Sequence, residues 1–179
     1  MAPHSHRLFY ALRPPRAATA RIGAIRNGIA DGHGRVADER LHVTLGISAD
    51  FDAFPDALAR AMAAFAEEVS LDPFVISLDR LAASDRSVAL RSSRRAKGLT
   101  QLYQQFDRPL RRWHIRRPDW AFNPHVTLLY RAGRPMLKPI APIAWQACDF
   151  VLIHSVVGAT QHIELGRWRL ESRQRSLFG

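Results

Sequence analysis

Leu41-His42-Val43-Thr44-Leu45 and Pro124-His125-Val126-Thr127-Leu128 share the run His-Val-Thr-Leu at positions 83 residues apart (125 − 42). Such β-branched and aliphatic residues alternating with polar ones predict a strand at each copy. Successive side chains of a strand point to opposite faces, so His42 and Thr44 share one face while Val43 and Leu45 take the other. His125 and Thr127 separate from Val126 and Leu128 in the same way. Each strand then buries its aliphatic side and presents an imidazole beside a hydroxyl. The repetition predicts two similar lobes, each presenting one strand to a shared cleft.

Composition does not explain the repetition. With eight histidines and 47% hydrophobic residues, two copies of a His-apolar-Ser/Thr-apolar run are expected in only about one such chain in a hundred. A metal site fits the pair poorly, because neither copy carries a third ligand and no His-Glu-x-x-His helix is present. Proton transfer fits well. Imidazole titrates near 6.5, so one member of a pair can accept a proton while the other donates one. Two such groups drive attack of water on phosphorus and departure of a sugar oxygen, with the threonine hydroxyls on the non-bridging oxygens. The candidate catalytic residues are His42, His125, Thr44 and Thr127, and no metal or other cofactor is required.

Working outward, alternation from His6 to Leu12 predicts a first strand, ended by Pro14 and Pro15. Ala18, Ile22, Ile25 and Ile29 then recur at helical spacing until the glycines of Asp31-Gly32-His33-Gly34. Asp52 is the expected cap of a helix with Phe54, Leu58, Met62, Phe65 and Val69 on its buried stripe. Phe74 to Leu78 and Ser87 to Leu90 read as adjacent strands. Leu99, Leu102, Phe106, Leu110 and Trp113 form a third helical stripe, which Pro109 is expected to kink or shorten. Arg131 to Pro142 reads as a proline-rich loop, and Phe150 to Val156 and His162 to Leu170 as the last strands. Strands and helices mix without a steady βαβ rhythm or a glycine fingerprint, so the fold class is α+β with a largely antiparallel sheet. Residues 1–179 are expected to form a single two-lobed domain.

The formal net charge is +10, and Lys97 and Lys138 are the only lysines, so the excess is arginine. That balance favours polyanionic partners. No apolar run approaches the roughly 20 residues that span a bilayer, and no apolar stretch near the start reads as a secretory signal, so a cytoplasmic protein is expected; a monomer is the expected oligomeric state. The lone Cys148 lies in a strand-like run and is expected to be buried and inert. His4, His6, His33, His114, His154 and His162 lack the repeated context and read as exposed or structural, although strand parity leaves His154 open to the cleft. Phe9 can stack on a base or belong to the core. Tyr130 has the parity opposite to His125 and Thr127 unless the strand twists there. The clusters Arg91, Arg94, Arg95, Lys97 and Arg111, Arg112, Arg116, Arg117 read as solvated faces or as RNA contacts.

With these residues in view, the chain resembles the two-histidine phosphoesterase superfamily, and within it the bacterial RNA 2′,3′-cyclic phosphodiesterases, also called 2′-5′ RNA ligases. The similar segments are Arg7 to Leu12, Glu39 to Leu45, Phe122 to Tyr130, Phe150 to Ser155 and Gly166 to Leu170. The resemblance implies a bilobal α+β fold around a V-shaped cleft, with His42 and His125 facing each other in a metal-free mechanism. It also implies RNA ends or nucleoside 2′,3′-cyclic phosphates as substrates, hydrolysed to 2′-phosphates, and reversible 2′-5′ ligation. By the same resemblance His42 is the acid that protonates O3′ and His125 the base that activates water. The sequence departs from the family pattern twice. Gly46-Ile47-Ser48 replaces an aromatic-Leu-Gly run, and Tyr130 followed by Arg131 stands where many relatives have an arginine five residues after the second histidine. Phe9, Tyr130 and Arg131 are therefore the candidate substrate-binding residues. Two alternatives stand beside this reading: an RNA-binding protein without turnover, and a phosphodiesterase acting on another small cyclic phosphate.

Overall fold

Antiparallel pairing organises the computed structural model, which describes residues 5–29, 34–131 and 133–172. Its strands are β1 (Ser5–Leu12), β2 (Val43–Ile47), β3 (Phe74–Ala83), β4 (Ser87–Arg91), β5 (Val126–Tyr130), β6 (Met136–Ala147), β7 (Asp149–Val157) and β8 (Gln161–Arg169). The helices are α1 (Arg16–Asn27), α2 (Asp56–Glu67) and α3 (Lys97–Arg112). One eight-stranded sheet runs in the order β6-β3-β4-β5-β2-β1-β7-β8. The fold is α+β, as the mixed pattern implied.

The order is symmetric about the boundary between β5 and β2. β1-α1-β2 on one side corresponds to β4-α3-β5 on the other, each a strand, a helix and a strand bearing one His-Val-Thr-Leu run. The helices cross over, α1 packing on β5 and β6 and α3 packing on β2 as well as on β3 of its own half. The segments that leave them cross over too. Arg35 bridges to Leu129, and Arg116 bridges to Ser48. Each half of the sheet is thus braced by chain from the other.

Both motif strands carry the same irregularity. Tyr10 pairs with Gly46 and Ala11 with Thr44, so Leu45 is an extra residue in β2. Val88 pairs with Leu129 and Ala89 with Thr127, so Leu128 is the extra residue in β5. A bulge reverses the facing of the residues beyond it. Ile47 and Tyr130, each five residues after its histidine, are turned back to the side that the histidines occupy. This resolves the parity of Tyr130, which simple alternation had placed on the far face. Gly34 packs beside it at a φ of 67°, and a Cβ there would come within 2.6 Å of the Tyr130 carbonyl oxygen, so glycine is required by both conformation and space.

The helix side of the sheet holds the core. Leu8, Tyr10 and Leu12 of β1 point to it with Phe150 and Leu152 of β7, against Ile22, Met62, Leu102 and Phe106. The Tyr10 ring stacks on Phe106 at 3.9 Å, and its hydroxyl donates to the Met62 carbonyl at 2.6 Å. Phe106 meets Phe150 edge to face, and Phe150 stacks on Trp168. Phe9 and Ala11 take the other face, packed with Val151 and Ile153.

Several elements differ from the sequence reading. The second helix begins at Asp56 and not after Asp52, because the α conformation is disfavoured for the residue before a proline and Phe54 precedes Pro55, the N-cap. The third helix does not stop at Pro109. It ends at Arg112, leaving Trp113 at the C-cap and 64% exposed, outside the stripe. The expected loop from 131 to 142 is largely strand, since β6 starts at Met136. This strand is the sheet edge, with β3 as its one neighbour in the sheet. Its ladder with β3 is irregular between Leu78 and Arg80, opposite Ile140 to Pro142, and edges and bulges are where a strand tolerates proline. Cys148 falls between β6 and β7 and is exposed, so its expected burial is corrected. His42 and His125 each stand one residue ahead of the strand they were assigned to. His4, His33 and the Asp31-Gly32-His33 part of the expected helix stop lie outside the described residues. Among the described residues no helix is long and apolar enough to cross a membrane.

Phe106 joins the two ring stacks while fully buried, so Phe106→Ala should destabilise the fold by about 3–5 kcal/mol. Trp113→Ala should cost well under half of that. Urea unfolding of both variants checks the ranking.

Candidate active site

Between the two halves of the sheet the antiparallel register pairs Val43 of β2 with Val126 of β5. Continued by one residue in each direction, an antiparallel ladder sets His42 across from Thr127 and Thr44 across from His125. The four polar residues then occupy the corners of a square, the histidines on one diagonal and the threonines on the other. In such a ladder diagonal residues are roughly 7–8 Å apart, which leaves room for a phosphate between the imidazoles. Val43 and Val126 point to the core and are both buried.

His42, Thr44, His125 and Thr127 line one cavity of about 420 Å³, with Phe9, Ile47, Trp120 and Tyr130 on its walls. Chain from β7 through the β7–β8 turn and into β8 closes one side with Ser155, Val156, Val157, Gly158, Thr160 and His162. Arg7 and Arg40 are on the wall, and among the described residues no Asp or Glu lines the cavity. Arg7 is already committed to Asp50, at 2.5 Å, and this pairing holds the Asp50 carboxyl below its ordinary range. Arg40 has no carboxylate partner among the described residues. The cavity is therefore suited to an anion.

The two histidines are held alike. His42 Nδ1 lies 2.6 Å from the carbonyl oxygen of Arg40, and His125 Nδ1 lies 2.6 Å from that of Asn123, in each case two residues earlier. A carbonyl accepts only, so each Nδ1 carries a proton and donates it. This fixes the tautomer and leaves both Nε2 atoms to exchange protons with a ligand. Arg40 and Arg91 stand beside the two rings, Arg91 being tied to Asn123 Oδ1 at 2.8 Å. Burial, opposed by the Arg40 carbonyl and helped by the charges of His125, Arg13 and Arg40, pushes His42 down to about 4. His125 is also lowered, by burial first and by Arg91.

The other candidates separate. Phe9 lines the cavity but is 3% exposed, its ring 4.9 Å from that of His42. Tyr130 lines it and is 59% exposed. Arg131 is not among the lining residues; its backbone N–H donates to Arg86. His154 is turned away, its Nε2 2.8 Å from His6 Nδ1 and its ring beside Phe54. His162, read as exposed or structural, is instead in the cavity wall, edge to face with His42 and Phe9. Neither a motif nor a spacing marks it in the sequence; only the pairing of β8 on β7 brings it there. Arg40 and Trp120 were likewise unmarked. Among the described residues no group of three or more His, Cys, Asp or Glu side chains could hold a metal ion.

Known structures share this arrangement of strands and helices. The crystal structure of E. coli LigT complexed with 3′-AMP superposes with a TM-score of 0.78 at 25% identity, covering 93% of this chain and 98% of that one. A structure described as a phosphoesterase gives 0.79 at 25% identity over 94% and 99%. TT0787 of Thermus thermophilus, at 21% identity and a TM-score of 0.76 over 93% and 99%, shares the fold. No curated protein matches the sequence. The model of the 2′-5′ RNA ligase superfamily matches residues 14–158 and so takes in both His-Val-Thr-Leu runs; the chain belongs to that superfamily of two-histidine phosphoesterases.

Proposed function

We propose that the protein hydrolyses 2′,3′-cyclic phosphate ends of RNA or nucleotides to 2′-phosphates, with reversible 2′-5′ ligation as the related reaction of the same site. The observation that carries this reading is the pair of imidazoles lining one cavity, each with its Nδ1–H held by a carbonyl and with no hydrogen-bond partner at Nε2 among the described residues. Arg40 on the wall, with no carboxylate among the described lining residues, suits a phosphodiester monoanion. The E. coli LigT structures, with 3′-AMP in one and phosphate in another, point to the same class of ligand.

Hydrolysis breaks the P–O3′ bond. One neutral imidazole takes a proton from water as its oxygen attacks phosphorus, and the opposite, charged imidazole gives its proton to the departing O3′. Thr44 and Thr127, on the other diagonal, donate to the non-bridging oxygens, where negative charge gathers. The exposed Tyr130 offers a face on which a base can stack, and Phe9 backs the His42 ring. With His42 as acid and His125 as base, the substrate charge has work to do. Burial keeps His42 neutral at pH 7 in the empty cleft, and a phosphodiester anion beside it favours the imidazolium.

Assay of the purified protein with the four nucleoside 2′,3′-cyclic phosphates, in the presence of EDTA, should show turnover to 2′-phosphates. His42→Ala and His125→Ala should each lower it about 10²–10⁴-fold without loss of fold. Near-normal turnover in both variants, or activity that a divalent ion alone restores, contradicts the mechanism.

The pH profile follows from the directions of the two shifts. Turnover needs the pair singly protonated, and that state of the free enzyme disappears as pH rises through the upper of its two coupled values and as pH falls through the lower. Both histidines are lowered from 6.5, so kcat/KM should be bell-shaped with its maximum on the acid side of 6.5. The upper limb of kcat should lie at higher pH, because bound substrate favours the imidazolium. A kcat/KM still climbing above pH 7 contradicts this.

A substrate with a good leaving group at O3′ needs no acid, so it should restore His42→Ala and leave His125→Ala impaired. The opposite pattern exchanges the two roles.

A further inference from the structure

We propose that His162 is a third functional imidazole of the cleft, a neutral hydrogen-bond donor that contacts the phosphate or an adjoining sugar hydroxyl through Nε2–H. This rests on the phosphodiesterase reading for the identity of the substrate, and on the geometry of β8 for the residue.

His162 stands in β8 opposite Ser155 of β7, and both line the cavity that holds His42 and His125. Its ring is edge to face with His42 at a centroid distance of 5.4 Å and with Phe9 at 5.3 Å. These contacts fix the ring plane. Nδ1 is shut away from solvent and has no hydrogen-bond partner among the described residues. A sealed N–H without an acceptor is rarer and costlier than an unpaired acceptor, so the proton of the neutral ring resides on Nε2. The ring as a whole remains partly exposed and lines the cavity, so Nε2–H is the polar group that it has to offer there.

Burial, with the charges around it, keeps the ring in this state. His42, Arg40 and Arg13 are the charged or titratable groups that act on it, and with burial as the first cause they lower His162 to about 3. A second imidazolium next to His42 would further suppress protonation of His42. A neutral donor adds a hydrogen bond to an anion without that penalty. Unlike an arginine at the same place, it can stand against His42 while leaving that residue able to take up a proton.

Three variants separate the donor from the shape. His162→Phe preserves an aromatic ring against Phe9 and His42 and removes the N–H. His162→Gln restores an amide donor at similar reach, and His162→Ala removes both. Binding of inorganic phosphate and of a nucleoside 2′-monophosphate is measured by calorimetry, and kcat, KM and the pH profile are measured with a nucleoside 2′,3′-cyclic phosphate. Circular dichroism and thermal unfolding verify that each variant is folded.

The expected result is that His162→Phe weakens phosphate and 2′-monophosphate binding and lowers kcat/KM by roughly 10- to 100-fold, the range expected for losing one hydrogen bond to a charged group. His162→Gln should recover most of that loss, and its kcat/KM limbs should match those of the parent. If His162→Phe binds and turns over like the parent, or if His162→Gln is as impaired as His162→Phe, the donor role is overturned and the ring serves packing alone. The binding arm keeps the two readings apart. A parent protein that binds phosphate through His162 yet hydrolyses no cyclic phosphate would reject the proposed activity and retain the donor.

Discussion

Val43 and Val126 meet in antiparallel register at the centre of the sheet, and the cleft is laid out from that pair. Because they turn into the core, the residue on either side of each must turn the other way. The antiparallel direction then sets histidine across from threonine in both strands. Had the strands been parallel, like residues would have tended to lie level with one another. The antiparallel contact instead separates the imidazoles along a diagonal, so that a group bound at the centre has one on each side.

A single paired residue is a slender joint between two four-stranded halves, and the crossed helices reinforce it. α1 leaves β1 in one half to pack on β5 and β6 in the other, while α3 leaves β4 to pack on β2. The chain after each helix bonds to the far motif strand, Val36 N–H to the Leu128 carbonyl and Arg117 N–H to that of Ile47. Opening the cleft would therefore break helix packing and backbone bonds on both sides. The bulges at Leu45 and Leu128 lie one residue beyond the threonines. They return Ile47 and Tyr130 to the cleft and make its two ends chemically different despite the duplicated centre.

Burial shapes the electrostatics more than any ion pair does. Arg7, the wall arginine with a carboxylate partner, is directed to Asp50, which also holds Arg117. Among the described residues the histidines have no carboxylate beside them, and each Nδ1 meets a carbonyl. A carboxylate in contact with an imidazole would raise its pKa and keep it charged. A carbonyl orients the ring and supports the cation less, so desolvation prevails and both rings are lowered from the ordinary imidazole value in the empty cleft. Their charge state is thereby open to an arriving anion.

The sequence by itself determined the α+β class, most of the strands and helices, and the four polar residues of the central square. All of these depend on short-range alternation or on a repeat that is visible in one dimension. His42 and Thr44 could be placed on a common face without coordinates because strand geometry imposes a period of two. Tertiary structure alone decided what depends on pairing partners. Proline in β6 is tolerable because that strand is a sheet edge with an irregular ladder, and Tyr130 faces the cleft because a bulge against β4 resets its parity. Arg131 follows Tyr130 in sequence yet falls outside the cavity lining, whereas His162 lies 120 residues from His42 and packs against it. Alternation carries no information on register between strands distant in the chain, since hydrogen bonding along a ladder is nearly the same at every position. The choice is made by which side chains fit together in the core, and it was this choice that brought β8, and His162 with it, to the edge of the site.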